Sequence, residues 1–226
     1  MMDHTKLEIL RYLGRRHQAV PKDISTMVDE CLDQMRKTIA PMAIHLTFPL
    51  SSQHDGLALA GTDVRLHGRD IARHLNGCQK VVLMAATLGA RADILIRQWE
   101  RIDLTRCLIL DACATQLIEA YCDETEQDIR RQAGGCGLMT TRRFSPGYGD
   151  LPLKCQPHIL NVLNAGTRMG LTCTDSLIML PRKSVTAIIG LGEDVPTTAG
   201  GCDACNRRDT CHYRKGPHSQ CMLPNG

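Results

Sequence analysis

The chain has few aromatic residues and no long apolar segment, and both absences exclude classes of protein. Its 226 residues include one Trp, two Phe and four Tyr. No apolar run approaches the ~20 residues that a membrane-spanning helix requires. Residues 1–20 are charged and lack the apolar centre of a secretory leader. These absences predict a cytoplasmic protein that makes no contact with a membrane.

The chain also lacks a strong charge imbalance. Its 27 Lys and Arg residues against 24 Asp and Glu residues give a formal net charge of +3, and no long basic run occurs. A nucleic-acid partner is therefore not expected. The nine histidines fall in neither a His-x3-His nor a His-Glu-x2-His frame, which argues against a zinc hydrolase. No catalytic side chain is predicted from these patterns.

Cysteine, in contrast, is abundant, with twelve residues. A disulfide framework is not expected in a reducing cytoplasm. Because large aromatic side chains are scarce, some cysteines should act as small apolar residues in the core. Four of them fall in helical apolar patterns: Cys31, Cys107, Cys113 and Cys122.

Four other cysteines crowd the C-terminal tail in the pattern Cys202-x2-Cys205-x5-Cys211-x9-Cys221. A Cys-x2-Cys turn directs two thiolates at one ion, and two later cysteines can complete a four-thiolate shell. Zinc and an iron–sulfur cluster both satisfy this pattern, and His212 is another possible ligand. The alternative is a disordered, redox-sensitive tail. Because the tail is too polar to fold by hydrophobic burial, we favour a metal or cluster.

Hydrophobic periodicity predicts an α+β fold in which helices surround a largely antiparallel sheet, followed by the short cysteine-rich tail. The predicted helices cover residues 4–13, 22–40, 70–75, 90–100, 104–131 and 157–169. The predicted strands cover residues 43–49, 57–66, 80–87, 138–142 and 184–190. The Pro- and Gly-containing segment from 193 to 201 is typical of a linker.

The predicted helix over 104–131 carries polar side chains inside its apolar first half. Asp111, Thr115 and Glu119 are spaced at i, i+4 and i+8, which places them along one stripe of the helix. Burying a carboxylate is costly unless it is paired or hydrogen-bonded. The two acids are therefore either structural groups that cap neighbouring loops or parts of a ligand site.

A short segment combines residue types suited to binding a carboxylate: Arg143-Phe144-Ser145-Pro146-Gly147-Tyr148-Gly149-Asp150. The guanidinium of Arg143 offers a planar fork of donors. Pro146 fixes its own backbone, and Gly147 lets a ligand approach main-chain groups closely. Tyr148 adds a flat, amphipathic ring. Taken alone, Pro-Gly also indicates an ordinary turn.

Four ordered segments together resemble the activation domain of cobalamin-dependent methionine synthase, in particular its stand-alone forms. The first is Leu117–Tyr121, which is similar to a Leu-Ala-Glu-Ala-Phe helix. The second is the Arg-x3-Gly-Tyr motif that begins at Arg143. The third is Leu171–Pro181, similar to a Leu-Thr-Glu-Ser segment with a Met near a Pro, and the fourth is the Ser-Val-Thr strand after Lys183.

The resemblance implies binding of S-adenosylmethionine. Arg143 would hold the methionine carboxylate, Glu119 would contact the amino group or ribose, and the main chain of Ser145, Pro146, Gly147 and Tyr148 would line the remainder. Tyr148 would also face the corrin. The implied function is reactivation of a corrinoid enzyme, with methionine synthase first, by reductive methylation of cob(II)alamin. The cobalamin is carried by the partner, and a donor such as flavodoxin or ferredoxin supplies the electron.

Two alternatives to this methyltransferase-associated role stay open at the level of sequence. One is a non-catalytic module that binds S-adenosylmethionine or a corrinoid. The other is an iron–sulfur electron-transfer protein. Under all three hypotheses, the chain is expected to contain an N-terminal helical segment (1–42), an activation-domain-like core (43–192), and a linker with the metal-binding tail (193–226).

Overall fold

The computed structural model describes residues 4–15, 20–53 and 56–195 of the chain. The helices are α1 His4–Tyr12, α2 Lys22–Thr38, α3 Arg69–His74, α4 Ala90–Trp99, α5 Leu104–Gly134, α6 Gln156–Val162 and α7 Ala165–Met169. The strands are β1 Met42–Gln53, β2 Gly56–Leu59, β3 Arg65–Leu66, β4 Lys80–Thr87, β5 Met139–Thr140, β6 Thr172–Cys173, β7 Met179–Leu180 and β8 Ser184–Gly192. A 3₁₀ turn at Leu153–Cys155 precedes α6.

The larger sheet has six strands in the order β3-β2-β1-β4-β8-β5, and β6 and β7 form a separate two-stranded sheet. Every pairing between these strands is antiparallel. β4 lies between the two long strands β1 and β8, which makes it the centre of the sheet. The predicted α+β fold with a largely antiparallel sheet is therefore confirmed.

Alternating side chains of β4 face two helical layers, because successive residues of a strand point to opposite faces. Val82, Met84 and Ala86 pack in the core formed with α1, α2, α4 and α5. Leu83 and Ala85 pack in the second core, formed with α3, α6 and α7. Full burial of one large aliphatic side chain contributes about 1.5–3 kcal/mol. The continuous apolar run in β4 is thus explained by burial on both faces.

The four cysteines predicted to lie in the core are buried, between 0% and 7% exposed. Burial raises the pKa of the Cys113 and Cys122 thiols to about 12. These side chains therefore stay protonated near neutral pH and act as small apolar groups.

Two predicted elements are each divided in two. The strand predicted over 57–66 is interrupted by a turn, in which Gly61 has φ +75° and the Val64 N–H donates to Thr62 Oγ1 at 3.2 Å. The helix predicted over 157–169 breaks at Asn164, which has a left-handed conformation with φ 51°. Asparagine tolerates this conformation better than most residues, so the chain can turn there.

Helix α5 is longer than predicted, because it continues through Gly134. The strand predicted over 138–142 is correspondingly short, at Met139–Thr140. Although α5 has 31 residues, no helix in the described part of the chain combines the length and apolarity needed to cross a membrane.

The N-terminal helices share the core with α5 and the sheet. Ile9, Val28 and Met35 are each fully buried there. The division of the chain at residues 42 and 192 stays a prediction.

The segment after β5 is fixed to the sheet by Phe144, which forms an isolated antiparallel bridge with Ile188 of β8. The main-chain N–H of each residue donates to the carbonyl of the other at 2.9 Å. A few residues later, Asp150 caps α3 from a distant part of the sequence. Its carboxylate accepts from the N–H of Arg69 at 2.6 Å and from the N–H of Asp70 at 3.0 Å. The loop between residues 144 and 150 is therefore held at both ends.

We expect Asp150→Ala to lower the free energy of unfolding by about 1 kcal/mol, the usual effect of removing a helix N-cap. Urea unfolding followed by circular dichroism measures the change. Asp175→Ala, at an exposed loop position, is the matched control and should change stability much less. Equal effects of the two substitutions would show that the Asp150 cap does not stabilise the fold.

Candidate functional site

Arg143 projects from the edge of the sheet toward α5. Its neighbour Phe144 packs into the core that contains α3 and α6, and adjacent side chains in extended chain alternate between faces. The side chain of Arg143 is 17% exposed. The bridge between Phe144 and Ile188 thus fixes the backbone from which the guanidinium reaches the helix.

Three carboxylates of α5 surround this guanidinium. Nη2 of Arg143 lies 2.7 Å from Asp123 Oδ1 and 3.4 Å from Glu119 Oε2, and Nε lies 3.4 Å from Glu126 Oε2. The three acids are spaced at i, i+4 and i+7, which places them on one face of the helix. Glu126 is 14% exposed, whereas Asp123 is 63% exposed. The structure therefore brings together Glu119 and Arg143, two of the predicted binding residues, and places two further acids beside them.

Burial and the neighbouring charges act in opposite directions on the pKa values of Glu126 and Arg143. Burial raises the pKa of Glu126, and Arg143 and Arg130 oppose that shift. Burial alone would lower the pKa of Arg143, but the neighbouring carboxylates raise it overall. The second terminal nitrogen, Nη1, is buried and has no hydrogen-bond partner among the described residues. An unsatisfied buried donor of a charged group costs about 1–3 kcal/mol or more, so this nitrogen favours an incoming acceptor.

The turn after Arg143 uses two of its own amides. The N–H of Tyr148 donates to the carbonyl of Ser145 at 3.0 Å, and the N–H of Gly147 donates to the carbonyl of Leu151 at 2.9 Å. Gly147 has φ +84°, a conformation that favours glycine. The predicted ligand contacts of this segment therefore fall to its remaining main-chain groups, such as the carbonyls of Pro146 and Gly147.

Three rings, those of His74, Phe144 and Tyr148, pack together beside the turn that follows Arg143. The ring of Phe144 lies between His74, 5.0 Å away, and Tyr148, 5.4 Å away in an edge-to-face arrangement. Nε2 of His74 donates to the carbonyl of Arg142 at 2.8 Å. Burial lowers the pKa of His74, so the ring is neutral at physiological pH. Tyr148 is 47% exposed and presents its ring at the surface beside Phe144.

Gln156 connects the other two predicted segments. Its Nε2 donates to the carbonyl of Leu177 at 3.1 Å, and its Oε1 accepts from Thr186 Oγ1 at 3.4 Å. The Leu171–Pro181 segment is thereby attached to β8. No sequence motif indicated Gln156, although a buried amide, 4% exposed, is typical of a polar side chain that organises loops.

Lys183 immediately precedes β8, and its side chain reaches α5. Its Nζ is 2.8 Å from Asp111 Oδ1 and 2.9 Å from Thr115 Oγ1. The side chain of Lys183 is 15% exposed, and that of Asp111 is 47% exposed. The stripe predicted from Asp111 through Thr115 to Glu119 therefore meets one cation at each end.

The outer edge of β8 joins these two ends. Ile188 bonds to Phe144, and Gly190 accepts from the N–H of Thr141 at 2.9 Å. Successive residues of an antiparallel strand direct their main-chain N–H and C=O groups to opposite sides. The main-chain groups of Ser184 and Thr186 therefore point away from β4, as those of Ile188 and Gly190 do. Within the described residues, no strand pairs with β8 at these two positions. We define the edge strip as Asp111, Thr115, Glu119, Arg143, Lys183 and the outer edge of β8 from 184 to 187.

A small recess of about 180 Å³ lies elsewhere in the described residues. It is lined by Pro157, Leu160, Asn161, Gly166, Leu171, Thr172 and Cys173. None of these residues is charged, and none is among the hydrogen-bond or ion-pair partners of Arg143 and Glu119. The recess gives no chemical reason to place a binding site there, so the edge strip is the better candidate.

The predicted metal ligands Cys202, Cys205, Cys211 and Cys221 lie outside the described residues. Among residues 4–15, 20–53 and 56–195, no group of three or more His, Cys, Asp or Glu side chains could hold a metal ion. The metal site of the tail stays a prediction.

No protein-family model and no curated protein sequence matches the chain. The fold, however, is similar to that in the crystal structure of the MetH reactivation domain bound to AdoHcy. The similarity has a TM-score of 0.63 and covers 85% of this chain and 76% of that chain, at 16% sequence identity. The chain therefore has the fold of the reactivation domain of methionine synthase, as its four sequence segments implied.

Proposed function

We propose that the protein binds S-adenosylmethionine along the edge strip and acts as the reactivation component of a corrinoid-dependent methionine synthase or a related corrinoid protein. The fold neighbour contains AdoHcy, the demethylated form of this ligand. A shared fold alone does not carry a function, so the proposal rests on the residues of the site.

The observation that carries the proposal is the state of Arg143. The bridge between Phe144 and Ile188 fixes the neighbouring backbone, and acids of α5 bind the guanidinium, yet Nη1 is buried without an acceptor. A ligand carboxylate that displaced the groups covering Nη1 would supply that acceptor and would form charge-assisted hydrogen bonds, which are stronger than neutral ones. Arg143 is therefore assigned to the methionine carboxylate.

The acids around Arg143 suit the cationic groups of the same ligand. Glu119, 46% exposed, can accept from the methionine ammonium, and the carboxylates together would favour a sulfonium charge nearby. Because three acids face two arginines, Arg143 and the Arg130 that pairs with Glu126, this end of the edge strip favours a ligand that brings positive charge. S-adenosylmethionine has two such charges, so it should bind more tightly than AdoHcy, which has one.

The chain needs no catalytic side chain for this role, since the ligand and the partner's cofactor hold the chemistry. S-adenosylmethionine would supply a methyl group to the corrinoid. The residues of this chain would bind and orient the ligand, which is the main contribution that positioning can make. The exposed ring of Tyr148 is assigned to contact with the corrin-bearing partner, and a flavodoxin or ferredoxin is the proposed electron donor.

We expect Arg143→Lys to weaken S-adenosylmethionine binding by roughly 1.5–3 kcal/mol, the contribution of a hydrogen bond to a charged group. A lysine keeps the charge but cannot form a fork. Isothermal titration calorimetry measures the affinity, and thermal unfolding checks that the variant folds. Unchanged affinity in a folded variant would refute the carboxylate assignment.

Asp123→Asn should have the opposite effect. Asp123 is exposed and bonds to Nη2 of Arg143 at 2.7 Å, so it competes with a ligand carboxylate for that nitrogen. Exposed ion pairs contribute about 0.2–1 kcal/mol, so we expect AdoHcy to bind up to about fivefold more tightly. Asp128→Asn, which removes an exposed acid paired with Arg131 on the same helix, is the control. Weaker binding by Asp123→Asn would show that Asp123 positions Arg143 instead.

The four cysteines of the tail are proposed to hold an iron–sulfur cluster or zinc, with the cluster acting as an electron relay. The described part of the chain indicates where the tail can be removed. The side chain of Val195 is buried, at 6% exposed. A chain that ends at Val195 keeps this buried side chain, whereas one that ends at Gly192 loses it.

Removal of residues 196–226 is expected to abolish bound iron and zinc and to leave S-adenosylmethionine binding within about twofold, because every residue of the edge strip precedes the cut. Elemental analysis of anaerobically purified protein and calorimetry measure the two properties. The full-length chain with Cys202 and Cys205 both changed to Ser is the control. Metal retained by the shortened chain, or absent from the unaltered full-length chain, would refute the metal site.

A further inference from the structure

Lys183 and Asp111 lie at the opposite end of the edge strip from Arg143, and a role for them in ligand binding rests on the proposed function. Lys183 crosses from β8 to α5 and contacts Asp111 and Thr115. Thr115 in turn donates to the carbonyl of Asp111 at 2.9 Å. Asp111 is thus held by a cation and by its own helix, while its side chain stays 47% exposed.

The structure restricts the direction in which a ligand anchored at Arg143 can extend. Toward Gly192, the outer edge of β8 is covered by Phe144, Thr141 and β5. Toward Ser184, no strand covers it within the described residues. A ligand whose carboxylate lies at Arg143 therefore extends along the edge strip toward Lys183.

The length of the edge strip fits more than an amino acid. Glu119 and Asp111 are separated by eight residues of α5, which correspond to about 12 Å at 1.5 Å per residue. Thr115 lies halfway between them. A free amino acid bound at Arg143 would reach only Glu119, whereas an amino acid joined to a nucleoside would bring its ribose to Asp111.

We propose that Asp111, held in place by Lys183, accepts hydrogen bonds from the ribose hydroxyls of the ligand and so determines specificity for a nucleoside. A carboxylate is the side chain that dinucleotide-binding sites use for the same hydroxyl groups. Asp111 Oδ1 bonds to Lys183, which fixes the orientation of the carboxylate. Asp111 is a binding residue in this assignment, and Lys183 is a positioning residue.

The test combines a protein change with a ligand change. Affinities of the full-length protein are measured by calorimetry for AdoHcy and for its analogue in which the ribose lacks both hydroxyls. For the wild-type protein, loss of the hydroxyls should weaken binding about tenfold or more, as expected for hydrogen bonds to a charged group. For Asp111→Asn, AdoHcy should bind about tenfold more weakly than to the wild-type protein, and the analogue should bind within about twofold of its wild-type affinity.

Controls separate this inference from folding and from the proposed function. Asp128→Asn should bind both ligands as the wild-type protein does, and Arg143→Lys should weaken both ligands by the same factor. Equal sensitivity of the wild-type protein and Asp111→Asn to loss of the hydroxyls would overturn the assignment of Asp111 alone. Failure of the wild-type protein to bind AdoHcy would overturn the proposed function and this inference together.

Discussion

The guanidinium of Arg143 is constrained from two directions, and the rest of the site depends on that constraint. Its backbone is tied to β8 through the bridge between Phe144 and Ile188, and its side chain is bound by acids of α5. Removing two charges from water is costly, and their attraction must offset that cost. A partly buried ion pair is therefore weak evidence that the pair stabilises the folded protein. A buried arginine that still has an unsatisfied nitrogen is better explained by a ligand than by stability.

Local sequence patterns predicted the helices and strands whose structure depends mainly on their own residues. β4 was predicted at its observed bounds because a short apolar run between turn residues has few alternatives. The break at Asn164 was missed, because a single left-handed residue interrupts an apolar pattern that otherwise continues. Asp123 and Glu126 were also missed as partners of Arg143. Their spacing from Glu119 continues the stripe on α5, so that signal was present in the sequence.

Other features depend on contacts between residues that are far apart in the chain, and local patterns do not indicate them. Asp150 caps a helix that begins about eighty positions earlier. Lys183 reaches an acid 72 positions away in sequence. The chemical types of such residues are visible in the sequence, but their partners follow only from the order of strands in the sheet. For the same reason, the ordered segments of the resemblance predicted the fold better than they predicted individual contacts.

The charges along the edge strip change in the same order as those of the proposed ligand. At Arg143 three acids face two cations, because Arg130 also pairs with Glu126, so the local excess is one negative charge and suits an amino acid with a sulfonium beside it. The recess at Lys183 is lined by three cations, Lys183, Arg182 and Arg97, and by three acids, Asp111, Asp93 and Glu100. That end is therefore close to neutral and suits an uncharged ribose. A small carboxylic acid without a positive group would meet repulsion from Asp123 and Glu119. This charge order selects against simple carboxylates and nucleotides, because a phosphate at either end would add negative charge beside acids already present.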